Sequence, residues 1–295
     1  MNKDIIFLTP VCTHNIWGGT RLNREFGYPI EGDDIGECWG ISAHPNGDGT
    51  VASGAYKGMK LSELWEKHPE LFGDTGMDRF PLLIKIIDAK DDLSIQVHPD
   101  DAYAKVHENG SLGKTECWFI LDCKENATLV VGHNAKSREE LEQMIQEGKW
   151  KEFIREIPIK PGDFIQIDPG TVHAIKGGTL LLENQQSSDI TYRVYDYDRL
   201  SNGKPRQLHI TQSIDVITVP AKSAENSVVH TEKKDDAIQQ LICCPYYTVY
   251  RIDVEHRVET WQDKPFVLMS VVEGEGTLNG TPLKKGDHLI LPDGY

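Results

Sequence analysis

The chain has 295 residues, 39% hydrophobic and 26% charged, enough for one large or two medium domains with real cores and ordinary for a soluble globular protein. Its formal net charge of −15 argues against nucleic acid, whose phosphates need a basic surface, and requires a local basic cluster for any anionic substrate. No apolar run approaches the roughly 20 residues that span a bilayer, and the apolar run Ile5–Leu8 is too short for a signal-peptide core.

Six cysteines with no C-x-x-C spacing make neither a disulfide scaffold nor a cysteine zinc site. A cytoplasmic protein with reduced thiols and no membrane partner is expected. In chain order, strand-like runs fall at residues 80–88, 93–98, 117–121, 128–132, 163–167, 180–183, 191–195, 248–253, 266–272 and 288–291. They are short and mostly bounded by Gly, Pro, Asn or Asp, so the fold class is mainly β, a sandwich or barrel. Two helical stretches interrupt them. Residues 60–72 carry Leu61, Leu64 and Trp65 at helical spacing, and residues 137–155 open on Ser137 and Glu140 at capping-box spacing.

One pattern occurs twice. Residues 159–174 read I-K-P-G-D-F-I-Q-I-D-P-G-T-V-H-A, and residues 283–295 read L-K-K-G-D-H-L-I-L-P-D-G-Y. Two similar β units are expected, the first centred on 80–200 and the second on 240–295, with a polar junction around 205–234 that includes K-S-A-E-N-S. The second copy stops two positions before a counterpart of His173, so the second unit is expected to lack closing strands.

Several polar residues stand where chemistry is affordable. In L-S-I-Q-V-H, residues 93–98, alternation puts Gln96 and His98 on one face of a strand. The two can converge on an ion, or the face is simply solvated. In G-K-T-E-C-W, Lys114 and Glu116 share a face at the mouth of an apolar strand. A buried Glu needs a partner or a metal; otherwise this is an exposed strand end. His173 follows a tight Pro-Gly turn and is either a satisfied core histidine or a ligand. Together Gln96, His98, Glu116 and His173 form an N/O donor set that suits zinc and also manganese, iron, cobalt or nickel.

Downstream, an apolar strand leads to Glu183, and Arg193 sits between Tyr192 and Val194, as an active cation or in a salt bridge with Asp189 or Asp196. Lys85 lies inside F-P-L-L-I-K-I-I-D, where it faces water at a sheet edge or meets a negative partner such as a bound phosphate.

These motifs, with I-G-E-C-W-G-I-S-A-H-P-N-G-D-G at 35–49 and S-S-D-I-T-Y-R-V-Y-D-Y-D-R at 187–199, closely resemble the type I mannose-6-phosphate isomerases in their short bacterial form. The likeness covers nearly the whole chain. It implies a cupin fold of two β-barrel or jelly-roll units with a small helical insertion: a catalytic, metal-binding domain over 1–210 and a metal-free domain over 211–295. It implies one zinc ion per chain on Gln96, His98, Glu116 and His173, with Gln96 the weakest ligand type. It also implies Arg193, Lys114 and Glu183 in the active site. With Lys85 added from its place in the apolar strand, Lys85, Lys114 and Arg193 are the expected contacts to a sugar phosphate, in a monomer or weak homo-oligomer. A metal cupin of another class, such as an oxygenase, and a non-catalytic sugar-phosphate sensor share parts of this pattern. An oxygenase would need no lysine–arginine cluster.

Overall fold

The computed structural model describes residues 4–223 and 227–295. The first three residues and positions 224–226 of the expected polar junction lie outside the described residues. The protein is mainly β, as expected, and divides into two compact units that interleave along the chain. One comprises residues up to 15, 20–86 and 233–295. The other comprises 16–19 and 87–232. This differs from the sequential division at 210, because Ile6–Thr9 pairs antiparallel with His288–Leu291, joining the two ends of the chain in one sheet.

In the first unit that sheet runs Val267–Ser270, His288–Leu291, Ile6–Thr9, Thr50–Val51. His288–Leu291 therefore has a neighbour on each side, one of them the strand Ile6–Thr9. Leu61–Lys67 is helical as its spacing predicts, with Leu61, Leu64 and Trp65 buried. Trp65 packs on Phe72, Phe80 and Phe266 with ring centroids 4.8, 5.3 and 5.9 Å away.

The repeated motif is one turn built twice. Lys160 N donates to Asp163 Oδ2 at 2.9 Å, and Lys284 N donates to Asp287 Oδ2 at 2.8 Å. In each copy the intervening glycine, Gly162 or Gly286, has φ near +90°, a conformation that only glycine adopts freely. The strands Asp163–Ile167 and His288–Leu291 follow.

In the second unit two antiparallel sheets enclose the core. One orders Val228–His230, Asp163–Ile167, Glu116–Cys123 and Thr179–Gln186. The other orders Tyr192–Tyr195, Ile95–Val97, His173–Ala174, Thr128–His133 and Ile154–Pro158. Trp118, Ile120, Leu129, Ile165, Ile175 and Leu181 fill the core with others. Ile95, Val97 and Ala174 point into a second cluster with Leu141, Ile145 and Phe153, from the helices Arg138–Gln146 and Trp150–Phe153. The first helix is capped where predicted: Ser137 Oγ accepts from Glu140 N at 3.2 Å, and Glu140 reaches back to Lys136 N at 2.6 Å rather than to the capping residue. Among the described residues no helix is long and apolar enough to cross a membrane.

Candidate metal centre

Strand alternation assembles the site. Ile95 and Val97 serve the outer cluster, so Gln96, between them, faces the other way. Across the sheet Gln96 is in register with His173 on one side and Arg193 on the other, which aligns three of the expected residues in one row. From the other sheet, Glu116 precedes Trp118 and Ile120 on a single face, and Glu183 is in register with Trp118.

His98, Glu116 and His173 are 1, 0 and 0% exposed, so the solvated-face and exposed-end readings do not hold. His98 Nε2 lies 3.1 Å from His173 Nε2 and 3.4 Å from Glu116 Oε2, and His173 Nε2 lies 3.3 Å from Glu116 Oε1. Two ligands each about 2.0–2.1 Å from a tetrahedral ion stand about 3.3–3.4 Å apart, which is the spacing found. Neither Glu116 oxygen accepts a well-aligned hydrogen bond, although Lys114 Nζ stands 2.9 Å from Oε2. A buried carboxylate that faces two imidazole nitrogens beside one lysine is suited to an ion.

Gln96 Nε2 is 3.3 Å from His173 Nε2. A half-turn of the amide would bring its oxygen, the ligating atom, to the same place.

Three features orient this set. His173 Nδ1 donates to the Thr171 carbonyl at 2.8 Å, which leaves the Nε2 lone pair for the centre. Gly170 N donates to the His98 carbonyl at 2.9 Å, so the Pro-Gly turn that launches His173 also holds His98. Gly170 has φ +79°, and a Cβ there would lie 2.5 Å from Thr218 Oγ1 and 2.8 Å from the Val216 carbonyl, so the turn needs glycine.

Protonation is tuned the same way. Burial, then Lys114 and His173, push the His98 ring far below its usual pKa. Burial also lowers His173, against the pull of Glu116. Burial works to raise Glu116, but Lys114 and His173 outweigh it and hold the carboxyl below its usual range. All three shifts favour the deprotonated forms that ligate metals.

Around the cluster, Lys114 is 4% and Glu183 3% exposed. Lys114 Nζ approaches His98 Nε2 at 3.1 Å and Glu183 Oε1 at 3.9 Å. The Trp118 indole reaches Glu183 Oε1 at 3.5 Å, a contact the sequence reading missed, although Trp118 follows Glu116 by two positions on the same face. Arg193 makes no salt bridge with Asp196, whose carboxylate is taken by Arg199 and Arg206 at 2.6 and 2.5 Å. Its guanidinium donates to the Gln207 carbonyl at 3.3 Å, while Nε is buried without a partner. Lys85, in the first unit, is 5% exposed, so it is no water-facing edge lysine. Its Nζ lies 3.7 Å from Glu37 Oε2 and 5.0 Å from the Trp39 ring centroid.

Residues 5–119 match the family model of the phosphomannose isomerase type I catalytic domain, and residues 237–295 that of the mannose-6-phosphate isomerase cupin domain. The mannose-6-phosphate isomerase ManA of Bacillus subtilis is 51% identical over all of this chain and 95% of its own length. The chain belongs to the type I phosphomannose isomerase family.

A mannose-6-phosphate isomerase of Streptococcus mutans, 49% identical over 98% of this chain and 92% of its own, is another relative in this isomerase family. The crystal structure of the Bacillus subtilis mannose 6-phosphate isomerase superposes with a TM-score of 0.90 at 49% identity, covering 98% of this chain and 95% of that one. A mannose 6-phosphate isomerase with zinc bound shares the fold at 16% identity and a TM-score of 0.74, covering 98% of this chain and 94% of that one.

Proposed function

We propose that this phosphomannose isomerase is a zinc enzyme that interconverts mannose 6-phosphate and fructose 6-phosphate through an enediol(ate). The observation that carries the metal reading is the 3.1–3.4 Å spacing of the ligand atoms of His98, Glu116 and His173. The substrate is taken from the named relatives, and the zinc-bound member of the fold supports the choice of ion. His98, Glu116 and His173 would hold one ion per chain, with Gln96 as a fourth ligand after its amide turns. An ion there would act as a Lewis acid toward substrate oxygens.

The chain's own groups have separable tasks. The reaction moves a proton between C1 and C2, and Glu183 and Lys114, 3.9 Å apart, are the two groups able to hold or move it; such transfer contributes roughly 10²–10⁴-fold. Arg193 has a half-buried guanidinium and no carboxylate partner among the described residues. It supplies fixed positive charge for the enediolate or the phosphate. Lys85 meets Glu37, so its burial needs no phosphate, and Arg193 carries that part of the proposal. Lys114 is offset by Glu116 and Glu183, so Arg193 is the cation left to draw an anionic substrate despite the chain's net charge of −15. A cytoplasmic setting is proposed on the reading of the six cysteines, none at C-x-x-C spacing, as reduced packing residues. The test is an isomerase assay on protein of known metal content: activity should follow bound zinc, and full activity without metal would refute the metal role.

A further inference from the structure

We infer that Gln186 is a positioning residue for Lys114, acting on both flanks of that lysine's backbone; the inference rests on the reading of Lys114 given above. Lys114 lies in the short connection between the helix Asp101–His107 and the strand Glu116–Cys123. Such connections ordinarily carry the loosest backbone of a fold. Here every backbone N–H from Gly113 to Thr115 has a partner. Lys114 N donates to the Pro99 carbonyl at 3.0 Å, tying it to the residue that follows His98. Gly113 N donates to Asp101 Oδ1 at 2.7 Å, and Thr115 N donates to Gln186 Oε1 at 2.9 Å.

Gln186 joins the two flanks. Its Nε2 donates to the same Asp101 Oδ1 at 3.0 Å, and its backbone N donates to the Thr115 carbonyl at 3.0 Å. One side chain therefore accepts from the residue after Lys114 and donates to the carboxylate holding the residue before it. Both bonds fix the amide's orientation, since one needs its oxygen and the other its nitrogen. Gln186 is 3% exposed, and its bond with Thr115 N is buried away from bulk water.

Its own placement is secured by Gln185, whose Nε2 donates to the carbonyls of Gln186 and Ser188 at 2.8 and 2.5 Å. The fit around the loop is close: a Cβ on Gly113 would lie 2.4 Å from both Asp100 C and Asp101 N.

Gln186 also ends the strand Thr179–Gln186 that carries Glu183. It thereby fixes the backbone of Lys114 relative to that of Glu183, the two groups assigned to the proton. Gln186 acts through the peptide units on either side of Lys114.

The test compares Gln186→Met, Gln186→Glu and Lys114→Met as full-length, zinc-loaded proteins, measuring kcat and KM for mannose 6-phosphate, bound zinc and the thermal midpoint. Methionine keeps the length and loses both bonds. It should lower kcat by about 10²-fold, the scale of a misplacement near 1 Å, with KM within about threefold and zinc retained. Glutamate keeps the acceptor for Thr115 N but sets a carboxylate oxygen against Asp101 Oδ1 in place of the donor, so it should lower kcat at least as far and serves as the second variant if the methionine one does not fold. If Lys114→Met abolishes turnover while both Gln186 variants keep the parent kcat, the positioning role is refuted and the reading of Lys114 stands. Unimpaired turnover in Lys114→Met refutes both. Loss of zinc and of thermal stability in step with kcat would also overturn the inference, making Gln186 a residue of the fold alone.

Discussion

Gly170→Ala perturbs the metal centre without touching a ligand. Gly170 has φ +79°, and holding a non-glycine residue in a left-handed conformation costs roughly 1–2 kcal/mol. Its new Cβ would lie 2.8 Å from the Val216 carbonyl, against the 3.4 Å where ordinary contact begins. Turn and carbonyl must therefore separate by about 0.6 Å, well beyond the roughly 0.2 Å tolerance of a metal–ligand distance.

The movement bears on two ligands at once. Gly170 N holds the His98 carbonyl at 2.9 Å, and Thr218 N holds the Gly170 carbonyl at 3.0 Å. His173 follows three residues on. Loss of such a supporting contact typically weakens metal affinity by about 10–100-fold. Competition with a chelator of known zinc affinity should show a loss in that range, with most of kcat recovered at saturating zinc. Unchanged zinc affinity in a variant confirmed to contain the alanine would refute the reasoning.

Arg193→Ala should lower kcat by about 10²–10³-fold, the scale of removing a fixed charge beside a developing oxyanion. Its thermal midpoint should hardly move, since among the described residues its guanidinium makes one hydrogen bond to a carbonyl and no ion pair; an unchanged kcat removes it from the mechanism. His288 is buried between Tyr28 Oη and Ser270 Oγ at 2.7 and 2.8 Å, and burial lowers its pKa to about 4 from 6.5. The unfolded chain takes up this proton first, so the stability from a neutral His288 is complete above about pH 6.5. It is lost as pH falls toward 4, and amounts to about 3 kcal/mol. Urea unfolding between those pH values should show His288→Gln with a shallower pH slope than the parent, and equal slopes would contradict the assignment.

The shared faces of the candidate ligands were legible because strand alternation is a local rule. Gln96 and His98 fall two apart, as do Lys114 and Glu116, and burial of the intervening Val97 and Thr115 does not disturb that phase. The tight turn before His173 was also visible, since Pro169 and Gly170 announce it. The partners of isolated charges were not legible, because pairing across a sheet leaves no trace in spacing. Lys85 meets Glu37 from another strand, and Asp196, a near neighbour of Arg193 in sequence, is held by Arg199 and Arg206 instead.

The interleaving of the two units escaped for the same reason. Nothing near Ile6 indicates pairing with Ile290. Gln186 was hidden among ordinary polar residues after a strand, since its meaning lies in contacts to Thr115 and Asp101. The repeated Lys-x-Gly-Asp turn, in contrast, is wholly local and appears in both units with the same hydrogen bond.

The central claim is that His98, Glu116 and His173 hold one catalytic divalent ion. The most direct test is to strip the protein of metal, return zinc in graded amounts, and measure bound zinc and conversion of mannose 6-phosphate in the same samples. The account predicts negligible conversion at zero zinc and a linear rise that breaks at one ion per chain. Undiminished conversion by the metal-free protein, or full zinc binding with no conversion at all, would contradict it.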